Sequence, residues 1–342
     1  MLMRQLLIGD CHFGRHANSV VWLENQLNFF NIQIFDILKT KNIDRVVFLG
    51  DLFDIRYSTN TQIGCELKLL LRKLITTFKN IDFIIIAGNH DFYSPQEELH
   101  NYNSYEMIFG EEFISYYNNL KILIYEEYYD KVTKDLYLPW YSTENFNTFQ
   151  DTIFKYKEFG INNIFVHSDI EHWDNSYKSL ITSNMTVWSG HIHYKWHYEN
   201  FNIIGATYSY DFSDVNQNKY VYIIENNKCI EKIENTTTPK FKRFYNDDIF
   251  KLSENDFKNS YIELYIFNSN SNKAKYIERL KEIDKEYSDY NVRKHIIDDS
   301  MGEDFHLTYF NANIDNYIEN NIPEYLTSKF NIIKSKVKNN EN

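Results

Sequence analysis

The sequence lacks any apolar stretch that approaches the roughly 18 residues needed to cross a bilayer. Its N-terminus, MLMRQLLIGD, also lacks the long apolar core and the small-residue cleavage site of a secretory signal. Both absences favour a protein without a membrane span that works in the cytoplasm, or in the host cytoplasm if its source is viral.

Cysteine is scarce, and the three cysteines do not form pairs at short spacing. They stand at Cys11, Cys65 and Cys229. Disulfide frameworks and thiolate zinc sites both need paired cysteines, so neither is expected here, and the thiols should be reduced.

A surplus of basic residues is lacking as well. The chain carries 48 acidic residues against 36 Lys and Arg, a formal net charge of −12. This balance weighs against a protein that coats nucleic acid through a broad basic face. It does not exclude an enzyme that binds divalent cations, because the carboxylates and neutral histidines that hold such ions belong to the acidic total.

The first part of the chain alternates short apolar runs with longer amphipathic segments, a pattern typical of a layered α/β domain. Near-continuous runs such as RVVFLG and FIIIAG suit strands that are buried on both faces. Strands are predicted at residues 5–9, 45–50, 81–88, 163–166 and 185–190. Helices are predicted at 19–39 and 61–78, where apolar residues recur at helical spacing.

The pattern changes after about residue 215. A hairpin is predicted over 219–225 and 228–234, because the two asparagines between them tolerate the positive φ of a tight turn. A linker at 236–240 ends a first domain at 1–238. A small β-α-β domain follows over 239–302, with elements at 261–267, 272–287 and 291–297. Apolar residues at helical spacing within 303–342 predict a terminal helix that either docks a partner or packs on its own domain.

Five short motifs follow the predicted strands. They are GDCHFG at 9–14, GDLFD at 50–54, GNHD at 88–91, VHSD at 166–169 and GHIH at 190–193. Ligands of open α/β sheets bind at the carboxyl ends of the strands, so these loops should converge on one crevice. Each motif alone is weak because GD dipeptides are common in turns. Five in order at strand ends are not explained by unrelated turns.

The polar residues of these motifs form a mixed oxygen and nitrogen ligand set. Such a set suits Mn(II), Fe(II) or Zn(II) better than calcium or a metal that prefers thiolates. The candidate metal ligands are Asp10, His12, Asp51, Asn89, His167, His191 and His193.

Together, GD-x-H, GD-x-x-D, GNHD, a later VH and GH-x-H resemble the motif set of the calcineurin-like metallophosphoesterases. Within that superfamily the sequence is most similar to the SbcD-type DNA repair nucleases, and closest to the recombination endonuclease subunit of T-even phages. This further similarity lies in LPWYSTEN at 138–145, VWSGHIH at 187–193 and IIGATYSYDFSD at 203–214. The resemblance covers roughly residues 1–235. It implies an α/β sandwich of sheets flanked by helices, with a small C-terminal α+β cap domain and a terminal helix.

The resemblance also implies a role for each ligand. Asp51 would bridge two metal ions, and the other six would divide between them. Asp10, His12 and His193 would hold one ion, and Asn89, His167 and His191 the other.

Three neighbours of the ligands receive further roles from the resemblance. His90 would be the catalytic residue that approaches the scissile phosphate and assists the leaving oxygen. Asp54 and Asp91 would orient loops or ligand histidines from behind. Many cellular members have histidine at the position of Asp54, so the balance between exonuclease and endonuclease activity is open.

The implied function is a DNA nuclease subunit, exonuclease or endonuclease, that uses two divalent ions, with Mn(II) favoured over Fe(II) and Zn(II). The resemblance implies that it acts in recombination or double-strand-break processing with an SbcC-type ATPase of the ABC/SMC class, and that it forms a homodimer. The cap at 239–302 would position DNA, and 303–342 would dock the ATPase.

The alternative is a calcineurin-like phosphatase or small-molecule phosphodiesterase. Protein phosphatases of this class read GD-x-x-DRG and GNHE, whereas this chain has GDLFDIR and GNHD. A scaffold without activity is disfavoured because no ligand is missing.

Overall fold

The computed structural model describes residues 3–54, 56, 60–93, 102–140, 146–170, 181–268, 273–288 and 291–298. The chain divides into two compact units, Met1–Lys240 and Phe241–Asn342. The terminal helix predicted within 303–342 lies outside the described residues. Over the residues that are described, no helix is long and apolar enough to cross a membrane.

The first unit contains twelve described strands. They are β1 (Arg4–Ile8), β2 (Arg45–Leu49), β3 (Asp82–Ile86), β4 (Leu120–Leu123), β5 (Tyr128–Asp130), β6 (Asp135–Leu138), β7 (Asn163–Val166), β8 (Thr186–Ser189), β9 (Trp196–Tyr198), β10 (Phe201–Ile203), β11 (Tyr220–Glu225) and β12 (Lys228–Glu234).

These strands form two six-stranded sheets. The first sheet has the order β12-β11-β1-β2-β3-β4, and the second has the order β5-β6-β7-β8-β10-β9. The strands β1 to β4 are parallel, and so are β6, β7, β8 and β10. The β11–β12 hairpin adds to β1 in the antiparallel direction. All five predicted strands of this unit outside the hairpin are therefore present within a few residues of their predicted ends.

The hydrophobic core shows that the two sheets face each other. Leu7, Val47 and Ile84 of the first sheet belong to one buried cluster with Phe165 and Trp188 of the second. Burial of this apolar area is the main favourable term for the sandwich. A separate cluster joins the other face of the second sheet to a helix that spans Phe146–Lys157. The predicted sandwich flanked by helices is confirmed.

The described helices of the first unit are α1 (Arg15–Asn18), α2 (Val20–Asn28), α3 (Phe35–Thr40), α4 (Thr61–Thr77), α5 (Ser104–Ile108), α6 (Gly110–Tyr116) and α7 (Phe146–Lys157). The helix predicted at 19–39 is interrupted by a π-helical segment at Phe29–Ile34 between α2 and α3. Three of its apolar residues, Phe29, Phe30 and Ile34, are buried, whereas Ile32 is exposed. Short 3₁₀ turns lie at Asn89–Asp91 and Phe212–Asp214.

The second unit is built on a three-stranded sheet. Its strands are β13 (Lys240–Tyr245), β14 (Ser260–Asn268) and β15 (Asn291–Asp298), in that order, and β14 and β15 are parallel. A 3₁₀ turn at Asn246–Phe250 and helices α8 (Glu254–Phe257) and α9 (Lys273–Glu286) complete it. Ile262, Leu264, Leu280 and Ile283 form its core. The predicted β-α-β unit is present, and β13 joins it as a third strand that the sequence pattern did not predict.

Candidate metal centre

The five motifs all lie where a parallel strand ends. Asp10 follows β1, Asp51 follows β2, Asn89 follows β3, His167 follows β7 and His191 follows β8. Because the carboxyl ends of parallel strands meet at one edge of their sheet, these side chains can converge although they are distant in sequence.

One group of ligand atoms surrounds His12. Side-chain nitrogen or oxygen atoms of His12, Asp51 and His90 lie within 4.8 Å of one another. His193 completes the group, since its Nε2 lies 3.0 Å from the Nε2 of His12. Three imidazole rings and one carboxylate thus face a common point.

A second group surrounds His167. Ligand atoms of Asp51, His167 and His191 also lie within 4.8 Å of one another. The Oδ1 of Asn89 lies 3.0 Å from the Nε2 of His167 and 2.9 Å from the Nδ1 of His191. Two imidazoles, one amide and one carboxylate meet here.

Asp51 belongs to both groups, and its two oxygens face different ones. Its Oδ1 lies 3.3 Å from the Nε2 of His167, whereas its Oδ2 lies 3.6 Å from the Nε2 of His12. Asp10 is fully buried nearby, and its Oδ1 accepts a hydrogen bond of 2.8 Å from the backbone N–H of His191. Its Oδ2 has no hydrogen-bond partner among the described residues. The structure therefore brings all seven predicted ligands together.

The hydrogen bonds around the second group show which ring nitrogens face its centre. The Nδ1 of His167 lies 2.7 Å from the carbonyl oxygen of Leu49, which only accepts, so this nitrogen carries a proton. The Nε2 of His191 lies 2.7 Å from the Oδ1 of Asp169 and donates to it for the same reason. The Nε2 of His167, the Nδ1 of His191 and the Oδ1 of Asn89 are left to face one another.

This arrangement of acceptors fits a divalent cation. Nitrogen and oxygen donors of this kind suit Mn, Fe or Zn, and ring nitrogens fixed from behind are typical of histidines that bind metals. If the Asn89 amide is turned over, its nitrogen donates to both rings and its oxygen accepts from the Nη2 of Arg56 at 2.7 Å. The amide therefore has one orientation that suits a cation and another that satisfies the rings by hydrogen bonds.

Electrostatics point to the same need for positive charge at the centre. Burial opposes the ionisation of Asp51, but the charges of His167 and His12 outweigh it and hold the pKa of Asp51 well below its usual value. Burial lowers the pKa of His167, yet Asp51 and Asp10 raise it to about 9. These opposite shifts show that the two carboxylates favour positive charge at the centre, which a bound cation would supply.

The backbone at three ligands lies in the left-handed region. His12 has φ 47°, Asp51 has φ 48° and His191 has φ 79°. Residues other than glycine rarely adopt positive φ, and those that do cluster at functional sites.

Glycines allow the loops to approach each other closely. A Cβ atom on Gly50 would lie 2.2 Å from the Nδ1 of His167, and one on Gly88 would lie 2.3 Å from the backbone nitrogen of Asp51. Both distances are far shorter than an ordinary van der Waals contact, so only glycine fits at these two positions.

His90 is oriented by contacts with two neighbouring carboxylate residues. Its backbone N–H donates to the Oδ1 of Asp51 at 2.8 Å, and its Nδ1 lies 2.8 Å from the carbonyl oxygen of Asp54. The carbonyl only accepts, so Nδ1 carries a proton and Nε2 stays free of this contact. Burial, and the charge of His12, outweigh Asp51 and lower the pKa of the His90 ring.

Asp91 is fully buried and joins two of the motif loops. Its Oδ1 accepts from the backbone N–H of Phe53 at 2.9 Å, and its Oδ2 accepts from the N–H of Gly88 at 2.8 Å and the hydroxyl of Tyr105 at 2.9 Å. Phe53 lies in the GDLFD loop and Gly88 begins GNHD. Asp91 thus fixes the distance between these loops.

Asp54 contacts the ring of His12 from the side away from His193. Its Oδ1 lies 3.3 Å from the Nδ1 of His12 and accepts from the Nη1 of Arg15 at 3.0 Å. Burial opposes ionisation, but His12 and Arg15 lower the pKa of Asp54 to about 2, so it is an anion at neutral pH.

Sequence reasoning missed several contacts of the centre. Asp169 supports His191 and Arg15 supports Asp54, while the Tyr210 hydroxyl donates to the carbonyl of Asp10 at 2.7 Å and the Nζ of Lys219 donates to the carbonyl of His193 at 3.0 Å. Asp169 is the last residue of VHSD and Arg15 directly follows GDCHFG, so their positions beside these motifs could have indicated a supporting role. Lys219 had none, because only the fold brings β11 beside the GHIH loop.

Comparison with known proteins agrees with the geometry. The model of the calcineurin-like phosphoesterase family matches residues 3–195, more than half of the chain. The chain is 28% identical over 128 residues to the DNA double-strand break repair protein Mre11 of Saccharolobus solfataricus, which covers 37% of this chain and 30% of that protein. It is 31% identical over 123 residues to the Mre11 of Sulfolobus acidocaldarius, covering 35% and 28%.

A longer match is found with a phage protein. The chain is 23% identical over 299 residues to exonuclease subunit 1 of Enterobacteria phage T4, and the match covers 82% of both proteins. The chain thus spans less than a third of the two archaeal proteins and about four-fifths of the phage protein. These matches confirm the resemblance on which the motif assignment was based.

Proposed function

Because this chain belongs to the calcineurin-like phosphoesterase family, we propose that it is a metal-dependent nuclease that hydrolyses phosphodiester bonds of DNA. The observation that carries this proposal is the pair of ligand groups that share Asp51. Such a pair suits two-metal hydrolysis of a phosphodiester. The printed names of the relatives, a DNA double-strand break repair protein and an exonuclease subunit, supply the choice of DNA as substrate.

The proposed metal ligands keep the division that the family resemblance implies. Asp10, His12 and His193 would hold one ion, Asn89, His167 and His191 the other, and Asp51 both. Mn(II) is the proposed ion, with Fe(II) and Zn(II) as the alternatives that the same donors accept. When bound, two such ions would supply positive charge against the phosphodiester and lower the pKa of a bound water.

His90 is proposed as the residue that exchanges a proton with the leaving oxygen. Its Nδ1 is fixed as a donor to the Asp54 carbonyl, so the exchange would take place at Nε2. A histidine in that position typically contributes about 10² to 10⁴ in rate. Asp54 and Asp91 would act by position, the first through His12 and the second through the loop that carries His90.

The wider assembly is also a proposal. We infer a subunit that acts in recombination or double-strand-break processing with an SbcC-type ATPase of the ABC/SMC class, and that forms a homodimer. The cap at 239–302 would position DNA and the segment at 303–342 would dock the ATPase. The T4 relative's name, which includes the word subunit, supports a multi-protein nuclease.

The deciding experiment is a Mn(II)-dependent cleavage assay on end-labelled duplex and single-stranded DNA, with and without the ATPase. Cleavage by the wild type that disappears on chelation of the metal is expected. Intact DNA under every condition, together with rapid hydrolysis of p-nitrophenyl phosphate, would replace the nuclease by the phosphatase or small-molecule phosphodiesterase.

The role of His90 has its own test. His90→Ala should reduce the cleavage rate by about 10² to 10⁴ while the bound Mn(II), measured by mass spectrometry, stays at the wild-type ratio. If the variant instead loses metal, His90 is a ligand of the first group, which its distance to His12 and Asp51 allows.

A further inference from the structure

A groove of about 600 Å³ lies in the first unit, where the outer strands of the two sheets approach each other. One side is formed by β9 and β10 at the end of the second sheet. The other side is formed by the β11–β12 hairpin at the end of the first. The groove contains none of the seven candidate ligands.

The groove is positively charged although the chain is acidic. Lys195, Lys228 and Lys232 line it and are exposed, against one acidic lining residue, Glu199. Among the residues that the structure describes, none of the three ammonium groups lies in an ion pair with a carboxylate. The ammonium of Lys232 instead lies 3.5 Å from the centre of the Tyr220 ring. These charges are available to an anionic ligand.

Aromatic rings and one unpartnered hydroxyl accompany the lysines. Trp196 is half-buried on one side of the groove, and Tyr222 lines it from β11. Tyr222 is only 5% exposed, and its hydroxyl has no hydrogen-bond partner within the described part of the chain. A buried hydroxyl without a partner costs stability, so a ligand that supplies one would be favoured. Nucleic acid bases stack on aromatic side chains of the Trp196 kind.

A smaller cavity adjoins the groove on the side of the candidate ligand His193. It measures about 210 Å³, and His193, Lys195 and Lys219 are among the residues that line it. It shares Lys195 and Ile204 with the groove. Lys195 therefore lines both spaces, whereas Lys219 is buried and paired with Asp214.

We propose that this groove binds a single-stranded segment of DNA. Its phosphates would contact Lys195, Lys228 and Lys232, and a base would stack on Trp196. The inference rests on the proposed nuclease function for the identity of the polymer, while the charge and the aromatic rings call for a single-stranded polyanion with exposed bases. The single-stranded part of the DNA would thus lie in the groove at the edge of the sandwich, and the same strand would continue to the candidate metal centre.

The test is binding of a fluorescein-labelled oligothymidylate to the full-length chain, measured by fluorescence anisotropy in EDTA over a range of salt concentrations. EDTA removes metal-dependent binding at the candidate centre. The double variant Lys228→Ala/Lys232→Ala should flatten the slope of log affinity against log salt by about 1.4, because each phosphate contact contributes about 0.7. Trp196→Ala should weaken binding about tenfold through loss of stacking.

A matched control is the double variant Lys39→Ala/Lys79→Ala. Both lysines are exposed on the same unit outside the groove, and the Nζ of Lys39 lies 6.0 Å from the centre of the Phe35 ring. This control should keep the wild-type slope and affinity. Equal slopes for the two double variants would overturn the proposal, as would a wild type that does not bind the oligonucleotide. Thermal unfolding of each variant excludes a loss of fold as the cause.

The result is distinguishable from the fate of the nuclease proposal. If wild-type protein leaves DNA uncut but the groove variants still lose affinity, the groove binds single strands and the nuclease assignment fails. If DNA is cut and the groove variants bind like the wild type, the groove proposal fails alone. Variants that lose the ATPase partner while keeping oligonucleotide affinity would assign the groove to a protein ligand and overturn the proposal.

Discussion

The substitution Gly50→Ala isolates the close approach between the GDLFD loop and His167. Gly50 has φ +88° and its added Cβ would lie 2.2 Å from the Nδ1 of His167. Gly110 offers a matched control, because it has φ +70° and an added Cβ there would meet nothing within 4 Å. Both substitutions place alanine at positive φ, and only one of them collides with a candidate ligand.

The structure gives the size of the effect. An ordinary contact begins near 3.4 Å, so the His167 ring must move by about 1.2 Å, the difference between 3.4 and 2.2 Å. That movement breaks the 2.7 Å hydrogen bond to Leu49 and displaces the ring nitrogen that faces Asp51. Changes that misplace a ligand cost about 10- to 100-fold in metal affinity, and a shift of about 1 Å can cost 10² in rate. Gly110→Ala should cost only the left-handed strain of about 1 to 2 kcal/mol.

Three measurements test these effects. Isothermal titration calorimetry gives the Mn(II) affinity, cleavage of a labelled oligonucleotide gives the activity, and thermal unfolding gives the stability. Gly50→Ala should lose metal affinity and activity, whereas Gly110→Ala should keep both and melt a few degrees lower. Equal metal affinity and equal activity in the two variants would refute the argument. The contact between the added methyl group and His167 would then have no effect beyond the backbone strain that both variants share.

Three further predictions concern the same loops. Asp51→Asn should reduce bound Mn(II) at both positions, measured by mass spectrometry, because Asp51 contacts both ligand groups. The exposed control Asp151→Asn should keep the wild-type ratio of metal to protein. A loss at one position alone would contradict the shared role of Asp51. Asp91→Ala leaves three buried donors without a partner and should lower the free energy of unfolding in urea by about 3 kcal/mol or more, and an unchanged value would disprove the link between the loops. EDTA should lower the melting temperature, since a site at a metal concentration of 100 Kd contributes about 2.7 kcal/mol, and an identical melting temperature in Mn(II) and EDTA would mean that no ion binds the fold.

Much of the candidate centre could be predicted because its residues sit at ends of strongly apolar strands. Runs such as RVVFLG fix a strand, its end and the polar residues that follow it within a short piece of sequence. The strands that were missed are short or mixed in polarity. Leu120–Leu123 becomes a strand by pairing with the distant β3, and Tyr128–Asp130 becomes one by forming a hairpin with β6, the next strand along the chain. The polarity pattern of each short segment does not encode either pairing.

Contacts among charged residues were harder to predict for a related reason. Three supporting residues, Asp169, Arg15 and Lys219, belong to loops or strand ends, where charged residues are common. The residues that they contact are 22, 39 and 26 positions away in the sequence and come close only in the folded chain. The pattern predicts which residues can bind a metal. It does not predict which residues hold those ligands in place, because the supporting contacts need only a suitable atom at the right distance.

The left-handed backbone at His12, Asp51 and His191 has a consequence for how this protein could be changed. Each such residue raises the free energy of the native state by about 1 to 2 kcal/mol relative to a relaxed loop. Relaxing this strain would stabilise the fold, but it would do so at candidate metal ligands, whose positions the chemistry depends on. Selection or engineering for heat resistance should find its gains elsewhere in the fold, and a stabilising change in these three loops would be a warning that hydrolysis has been lost.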